Sequence, residues 1–314
     1  MTQETTSENL SALYRKDFPV LSKVMGEREL ELVYLDSTAT TQKPQVVIDS
    51  QIDFLQKDYS SVKRGVYQLS EVTNHKFERT RKIVQEFIGA DREDEIIFTA
   101  GTTDSINLVA QSWGRANIQE GDEIIISALE HHANIVPWQI LCEEKKAVLK
   151  IIPCDDQANL ILDDYYRLLS DRTKLVSVVH VSNAVGTVND VKTIISKAKE
   201  YGAITLVDGA QSIAHCPIDI RDIGADFFVF SGHKVFAPTG IGVLYGRYDL
   251  LEKMPPWKGG GEMIEQVTFK KTTYAKPPAR FEAGTPAIAE VIGLGVAIDY
   301  IKEIGIQRIQ SYEK

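Results

Sequence analysis

The sequence predicts an α/β fold: a mostly parallel sheet with helices on both faces. From Asp94 onward, apolar β-branched runs of four to seven residues alternate with turn signals and stretches of helical periodicity, as in strands joined by crossover helices. The runs are almost continuously apolar, which is expected of strands covered on both faces. With 314 residues, 43% of them hydrophobic and 25% charged, the chain has a globular composition and is long enough to bury a large core.

The elements follow in chain order. Residues 1–30 form an N-terminal segment with a short helix at residues 8–16, and a charged stretch then leads to Val33-Tyr34-Leu35-Asp36. Strands are predicted at residues 95–99, 123–127, 148–153, 175–180, 204–207, 227–230 and 242–245. Helices are predicted at residues 103–113, 134–145, 191–201 and 288–304. Between Tyr245 and the last helix, prolines and glycines predict a long loop over the sheet.

Charge and composition exclude several classes of function. A net charge of −9 and a pI near 5.3 make nucleic acid an unlikely partner, because such a chain repels a phosphate backbone. No apolar run approaches the ~20 residues of a membrane span, and the polar N-terminus lacks the apolar stretch of an export signal. The three cysteines are odd in number and contain no CxxC pair, so no disulfide framework or zinc site is expected. We therefore expect a cytoplasmic protein.

The first candidate site residues follow the first strand. Ligands of open parallel sheets bind outside the carboxyl ends of the strands, so the residues at these ends are tested first. Thr102 and Thr103 come after Gly101 at the start of a predicted helix, where free backbone N–H groups and a hydroxyl can cradle a phosphate. The alternative interpretation is a plain helix cap.

Two further strand ends carry a histidine and an asparagine. His131 follows the second strand, where an imidazole can stack flat on an aromatic cofactor; the alternative is a half-buried histidine at a strand end. Asn183 follows the fourth strand and can donate to a ring oxygen, although a turn-forming asparagine is equally compatible with its position.

Asp208 and Lys234 follow the fifth and sixth strands and point to one cofactor. A buried carboxylate is costly unless it meets a cation, which a protonated pyridine nitrogen supplies. A buried lysine has a lowered pKa and can act as a nucleophile, although most single lysines are solvated surface charges. A pyridoxal enzyme needs both an amine for the aldehyde and an anion for the pyridinium. Ser231 and His233 flank the lysine, where they can grip a phosphate.

Several motifs resemble the Suf-type cysteine desulfurases, which belong to the class V aminotransferase group of fold-type I pyridoxal phosphate enzymes. The motifs are residues 130–138 (EHHANIVPW), 207–211 (VDGAQ), 231–234 (SGHK), 238–242 (PTGIG), 255–261 (PPWKGGG) and 280–286 (RFEAGTP). The resemblance runs from about Asp17 to the last residue. It implies a seven-stranded sheet in a large cofactor-binding domain at residues 31–287. Residues 288–314 then begin a helix that leads to a small C-terminal domain, which is missing from this sequence.

The resemblance also implies roles for individual residues. Lys234 would form the Schiff base with pyridoxal 5'-phosphate, His131 would stack on the ring, and Asp208 would pair with the pyridine nitrogen. Gln211 and Asn183 would contact the oxygen side of the ring. Thr103, Ser231 and His233 would hold the phosphate. Thr285 would reach the phosphate of a neighbouring subunit, which implies a homodimer.

The implied reaction removes sulfur from L-cysteine, giving alanine and an enzyme persulfide, and supplies a sulfur-acceptor protein and a scaffold for iron–sulfur cluster assembly. The sequence departs from the family pattern at three points. Cys142, Cys154 and Cys216 do not occupy the position of the family's nucleophile, and the arginine that binds the substrate carboxylate is missing. Lys63 stands where relatives usually have a histidine before Arg-Gly; an ammonium there can anchor a carboxylate, and the alternative is a solvated loop residue.

These departures leave alternatives open. We expect the chain to be a fragment or a truncated product of a longer protein, or half of a split enzyme. Within the same fold, a selenocysteine lyase or a kynureninase-like lyase would share the cofactor residues. From a different class, a non-catalytic pyridoxal-binding protein or a dimerising scaffold for sulfur-transfer partners remains compatible with the sequence.

Overall fold

A computed structural model describes residues 9–26, 30–63 and 65–313 of the chain. Its strands are β1 (Val24–Met25), β2 (Leu30–Glu31), β3 (Ile96–Thr99), β4 (Glu123–Ser127), β5 (Val148–Ile152), β6 (Thr173–Val179), β7 (Ile204–Asp208), β8 (Phe227–Ser231), β9 (Gly242–Gly246), β10 (Ile264–Val267) and β11 (Thr272–Tyr274). Its longer helices are α2 (Gln45–Lys57), α3 (Gln68–Ile88), α4 (Thr102–Val109), α6 (Val136–Lys145), α8 (Val191–Glu200), α12 (Ile288–Ile304) and α13 (Ile306–Glu313). The shorter ones are α1 (Leu10–Tyr14), α5 (Arg115–Asn117), α7 (Leu162–Leu168), α9 (Ser212–His215), α10 (Ile220–Ile223) and α11 (Tyr248–Leu251).

The central sheet has seven strands in the order β3-β9-β8-β7-β6-β4-β5. The pairs from β5 through β8 are parallel, whereas β9 runs antiparallel to both β8 and β3. The prediction of a mostly parallel, seven-stranded α/β fold is therefore confirmed, and each predicted strand lies within two residues of its observed bounds. Because β9 is reversed, it begins at the edge where its neighbours end, and Gly242 pairs with Ser231.

Alternate residues of the strands enter two separate hydrophobic layers. Phe228 and Phe230 of β8 pack into the layer that includes α3, α8 and α12, while Phe227 and Val229 pack with α4 and α6 on the opposite face. Burial on both faces explains why these strands are continuously apolar in sequence. The exception is the edge strand β5, where Val148 and Ile151 remain 46% and 45% exposed.

Several predicted elements differ in detail. The helix predicted at 8–16 comprises α1 and a 3-10 turn at Arg15–Asp17, and residue 8 lies outside the described residues. The helix predicted at 103–113 comprises α4 and a π-helical turn at Ala110–Gly114. The region predicted as a loop before residue 288 contains α11 and the antiparallel hairpin β10–β11, because short β-branched stretches lie between its prolines and glycines.

Helices α2 and α3 were not predicted. Both pack against α12, whose Val291, Leu294 and Ile298 enter the same core layer. Helix α12 is therefore part of the core of the described chain, and the division at residue 287 stays a prediction. None of the helices in the described part combines the length and the apolar run that crossing a bilayer requires.

Candidate functional site

A cavity of about 610 Å³ lies at the carboxyl ends of β6, β7 and β8 and beside the start of α4. This volume is typical of a small-molecule or cofactor site. Nine of the ten predicted site residues line it: Thr102, Thr103, His131, Asn183, Asp208, Gln211, Ser231, His233 and Lys234. Residues that were selected because they follow strand ends thus meet in one cavity, although they are up to 132 positions apart in sequence, from 102 to 234.

The turn between β3 and α4 has the chemistry of an anion site. The amide N–H of Thr102 donates to Ser231 Oγ over 2.8 Å, and the two hydroxyl oxygens lie 2.9 Å apart. Gly101, at the N-cap, has no side chain to cap the helix, so a serine from β8 does so. A Cβ on Gly242 would lie 2.3 Å from Gly101 Cα, which shows how tightly this turn is held against β9. Hydroxyls and amides therefore converge at a helix N-terminus, where phosphate binds well.

Asp208 and Lys234 both line the cavity and interact electrostatically. Burial raises the pKa of Asp208 to about 6, against the opposing effects of the Ala210 N–H and of Lys234. Burial lowers the pKa of Lys234, and Asp208 opposes that shift. Asp208 Oδ1 accepts from the Ala210 amide over 2.9 Å; within the described residues Oδ2 accepts no hydrogen bond and is available to a cation. The pair combines a nucleophilic amine with a buried anion.

His131 presents a neutral imidazole to the cavity. Its Nδ1 accepts from the amide of Ala133 over 3.1 Å, so the proton of the neutral ring is on Nε2. Burial, together with the charges of Lys234 and His132, lowers its pKa. The ring is therefore uncharged near pH 7 and can stack on another ring.

Hydrogen bonds to the backbone carbonyl of His233 hold the segment around this residue. Its carbonyl accepts from Thr41 N over 2.9 Å, Thr40 Oγ1 over 3.2 Å, Thr41 Oγ1 over 3.0 Å and Lys43 Nζ over 3.1 Å. These donors fix the turn that carries Lys234. Gln211 is oriented in a similar way, because its Nε2 donates to the carbonyl of Thr38 over 2.9 Å.

Part of the cavity lining was not predicted. Leu35, Asp36, Thr38 and Ala39 reach the cavity from the segment before α2. The search of strand ends could not find them, because this segment does not follow a strand of the central sheet. Thr285 is exposed and does not line this cavity, so its predicted role toward a second subunit stays a prediction.

Lys63 is an ion-paired residue and not a solvated one. Its Nζ forms an ion pair with Glu282 over 3.0 Å, its side chain is 20% exposed, and it does not line the cavity. Glu282 also binds Arg81 over 2.8 Å. Lys63 thus forms a structural ion pair, and the suggestion that it anchors a carboxylate of the substrate stays a prediction.

None of the three cysteines lines the cavity. Cys142 is buried in α6, where burial raises the pKa of its thiol to about 11. Cys154 forms an isolated β-bridge with Leu160, and Cys216 ends α9 beside the core. No thiol of this chain is placed to react in the cavity.

The donor set fits pyridoxal phosphate. Lys234 offers an amine for the aldehyde, Asp208 a free carboxylate oxygen for the ring nitrogen, and His131 a flat neutral ring. The hydroxyls of Thr102, Thr103 and Ser231 lie at the N-terminus of α4, where the phosphate would be held. Glycine is required at 209, since a Cβ there would lie 2.0 Å from the ring of Phe228; the turn that carries Asp208 is correspondingly tight.

Comparison with known proteins gives concordant matches. The profile of the family described as aminotransferase class V matches residues 33–314. A cysteine desulfurase of Synechococcus elongatus is 51% identical over 299 residues, covering 95% of this chain and 47% of that protein. A cysteine desulfurase of Salmonella dublin is 49% identical over 301 residues, covering 96% of this chain and 74% of that protein.

The fold matches solved structures equally well. The apo structure of a cysteine desulfurase from Thermococcus onnurineus superposes with a TM-score of 0.90 at 41% identity, covering 96% of this chain and 72% of that chain. The chain spans about half the length of several curated relatives it matches.

Proposed function

Because the chain belongs to the class V aminotransferase family, we propose that it is a pyridoxal-phosphate-dependent cysteine desulfurase of the Suf type, acting on L-cysteine. The observation that carries the proposal is the pairing of Asp208 with Lys234 in one cavity with a phosphate-type helix N-terminus. Relatives near 50% identity that are named cysteine desulfurases support the choice of reaction. We assign residues 31–287 to the cofactor-binding domain, preceded by an N-terminal segment and followed by a helix that leads into a small domain.

Pyridoxal 5'-phosphate is the cofactor, and when bound it draws electrons from the amino acid attached to it. The side chains of the cavity then have distinct tasks. Burial lowers the pKa of Lys234, which favours the neutral amine; Nζ would hold the cofactor at its aldehyde and, once free, would move a proton at the substrate Cα. Asp208 Oδ2 stabilises the protonated ring nitrogen.

The remaining residues bind and orient. His131 stacks on the ring with its neutral imidazole, while Gln211 and Asn183 lie on the oxygen side of the ring. Thr102, Thr103, Ser231 and His233 hold the phosphate. Thr285 contacts the phosphate bound to a second copy of the chain, so the active form is a homodimer.

The reaction needs an acceptor thiol. The sulfur of L-cysteine is transferred to a thiolate, giving a persulfide; the electron pair of the broken carbon–sulfur bond stays on Cβ, which is protonated to give alanine. Because Cys142, Cys154 and Cys216 lie outside the cavity, the acceptor comes from outside residues 1–314. A sulfur-acceptor protein and a scaffold for iron–sulfur clusters are the partners that this product requires.

The test compares Lys234→Ala with Lys192→Ala, a control lysine on the exposed face of α8. Each protein is incubated with pyridoxal phosphate, reduced with borohydride and digested, and the labelled peptide is identified by mass. We expect the visible absorbance of the cofactor and a label on Lys234 in the wild type and the control, and neither in Lys234→Ala. Unchanged absorbance in Lys234→Ala would contradict the assignment.

The choice of substrate is tested separately. The loaded protein is given L-cysteine, selenocysteine or kynurenine with an excess of a small thiol, and alanine and sulfide are measured. Alanine and sulfide from cysteine support the desulfurase. Alanine from kynurenine alone would instead indicate a carbon–carbon lyase, and alanine from selenocysteine alone a selenocysteine lyase.

A further inference from the structure

The carboxyl group of Glu130 lies at the centre of a buried network directly beside His131. Glu130 is 9% exposed. Its Oε1 accepts from Ser127 Oγ and from the amide of Val179 over 2.8 Å, and its Oε2 accepts from Asn134 Nδ2 over 2.6 Å. These donors come from the ends of β4 and β6 and from the turn before α6. One carboxyl group therefore joins two strand ends to the loop that carries His131.

Asn134 extends the network and fixes its polarity. Its Oδ1 accepts from Trp138 Nε1 over 2.8 Å and from Ser177 Oγ over 2.6 Å, so its Nδ2 must point toward Glu130. Asn134, Trp138 and Ser177 are fully buried. In each of the five contacts a donor meets an acceptor. Turning the Asn134 amide over would place its NH₂ against the indole N–H of Trp138 and leave a buried donor unpaired.

No cation pairs with Glu130 in the part of the chain that the structure describes. A buried carboxyl without a cation is costly, and an apolar residue would fill this position at lower cost. Packing alone therefore does not explain why a carboxyl group occupies this position. The location of the network points to a role beside His131. Residues 130 and 134 are anchored on either side of His131, and the amide of Asn134 donates to the His131 carbonyl over 2.8 Å.

The network also reaches the strand that carries the buried anion. Val179, which donates to Glu130, is followed by His180, whose amide donates to the carbonyl of Asp208 over 2.9 Å. The loop that carries His131 and the residue Asp208 are thereby connected to the same strand end, at Val179 and His180.

We propose that Glu130 is a positioning residue: its carboxyl group, through Asn134 and Val179, holds the His131 imidazole in the orientation that stacks on the cofactor ring. This inference rests on the proposed role of His131. Glu130 does not line the cavity and acts only through its neighbour.

Two variants test the hydrogen-bond polarity of the network. Glu130→Gln places an NH₂ group either against the NH₂ of Asn134 or against the backbone N–H of Val179. Turning the Asn134 amide over only moves the conflict to Trp138. The double variant Glu130→Gln/Asn134→Asp reverses the pair and keeps the number of carboxyl groups unchanged. The amide introduced at position 130 then donates to the carboxylate introduced at position 134, and this carboxylate still accepts from Trp138 and Ser177.

The expected effects of the two variants differ in size. We expect Glu130→Gln to weaken pyridoxal phosphate binding about tenfold and to shift the absorbance of the bound cofactor, because a buried donor loses its acceptor. The double variant restores both to within about twofold of the wild type. A double variant that binds no better than Glu130→Gln would overturn the assigned polarity.

A double-mutant cycle with His131→Ala separates positioning from general scaffolding. If Glu130 acts through His131, Glu130→Gln weakens binding less than about twofold in the His131→Ala background. An equal loss in both backgrounds overturns the inference and leaves the proposed function intact. If His131→Ala itself changes neither affinity nor spectrum, the assigned role of His131 fails and the inference fails with it.

Folding of each variant is checked by urea unfolding before binding is measured. Should Glu130→Gln not fold, Ser127→Ala removes only one of the three donors to Glu130 and enters the same cycle. A loss of about threefold that disappears in the His131→Ala background supports the inference, and a loss that persists there overturns it.

Discussion

Glu130 and Glu282 are almost equally buried, at 9% and 7% exposure, yet their surroundings are opposite. The hydrogen-bond donors to Glu130 among the described residues are neutral, and burial raises its pKa to about 8, offset in part by Ser127, Asn134 and Val179. Burial acts on Glu282 in the same direction, but the charges of Arg81 and Lys63 outweigh it and lower its pKa. Burial alone therefore does not determine the charge of a carboxyl group, because the nearest cation decides.

The two glutamates also serve different parts of the molecule. Glu282 and Arg81 cover the free edge of β3: the amide of Phe98 donates to Glu282 Oε1 over 2.9 Å, and Arg81 Nη1 donates to the carbonyl of Ile96 over 2.7 Å. A charged pair thus replaces the missing neighbour strand. Glu130, in contrast, connects strand ends beside the cavity. The difference separates a carboxylate that stabilises the sheet from one that, as we propose, orients a site residue.

The largest effect is expected from breaking the charged pair. Among the described residues, Arg81→Met leaves buried Glu282 with Lys63 and the amide of Phe98 as its partners, so we expect the free energy of unfolding to fall by about 3–5 kcal/mol. Urea unfolding of the cofactor-free protein measures the change. Arg79→Met is the control, because Arg79 lies on the same helix, is 67% exposed and reaches Asp299 only at 3.9 Å; it should cost less than about 1 kcal/mol. Equal losses would show that the buried pair does not stabilise the β3 edge.

A second prediction uses pH to distinguish the two glutamates. The pKa of Glu130 is raised from 4.5 to about 8, so its contribution to stability is present at low pH and is lost as the pH rises through that window. Relative to Glu130→Gln, the wild type should lose up to about 1.4 kcal/mol of unfolding free energy per pH unit between pH 5 and pH 8. Glu282, with a lowered pKa, has the opposite sign and loses its contribution only as the pH falls below about 4.5.

Unfolding free energies of the cofactor-free wild type and Glu130→Gln, measured in urea at several pH values, test this difference. Glu143→Gln, on the exposed surface of α6, is the control for removing one surface carboxyl. Parallel curves for the wild type and Glu130→Gln would mean that Glu130 does not change its protonation on unfolding, and the contrast with Glu282 would be lost.

The sheet and most of the cavity were predictable because they depend on local patterns. Continuous apolar runs predict strands that are covered on both faces, and the polar residues directly after them, such as Asp208 and Lys234, meet at one edge of the sheet. Helices α2 and α3 were missed because they precede the regular strand–helix alternation, which begins only at Asp94. Their buried faces nevertheless have helical spacing, at Val47 and Phe54 in α2 and at Phe77 and Val84 in α3.

The partners of the buried charges were not predictable. Lys63 and Glu282 are 219 residues apart in sequence, and the tertiary fold brings them together beside Arg81 of α3. Glu130 has His131 and His132 beside it in sequence, which would favour a charged partner, yet its side chain turns inward to an amide, a hydroxyl and a backbone N–H. Strand periodicity specifies which face a residue occupies but does not specify its neighbours on that face.

The smallest effect is expected from Lys63, which pairs with Glu282 but is more exposed than Arg81. Lys63→Met should cost about 1 kcal/mol, because its side chain is partly exposed and Arg81 still neutralises Glu282. Lys57→Met, which breaks an exposed pair with Asp53, is the control and should cost less than about 0.5 kcal/mol. Since Lys63 does not line the cavity, the variant should bind pyridoxal phosphate with wild-type affinity and leave the KM for L-cysteine unchanged. A rise in KM without loss of stability would instead support a role of Lys63 in binding the substrate, and the contrast between Glu282 and Glu130 would then rest on Arg81.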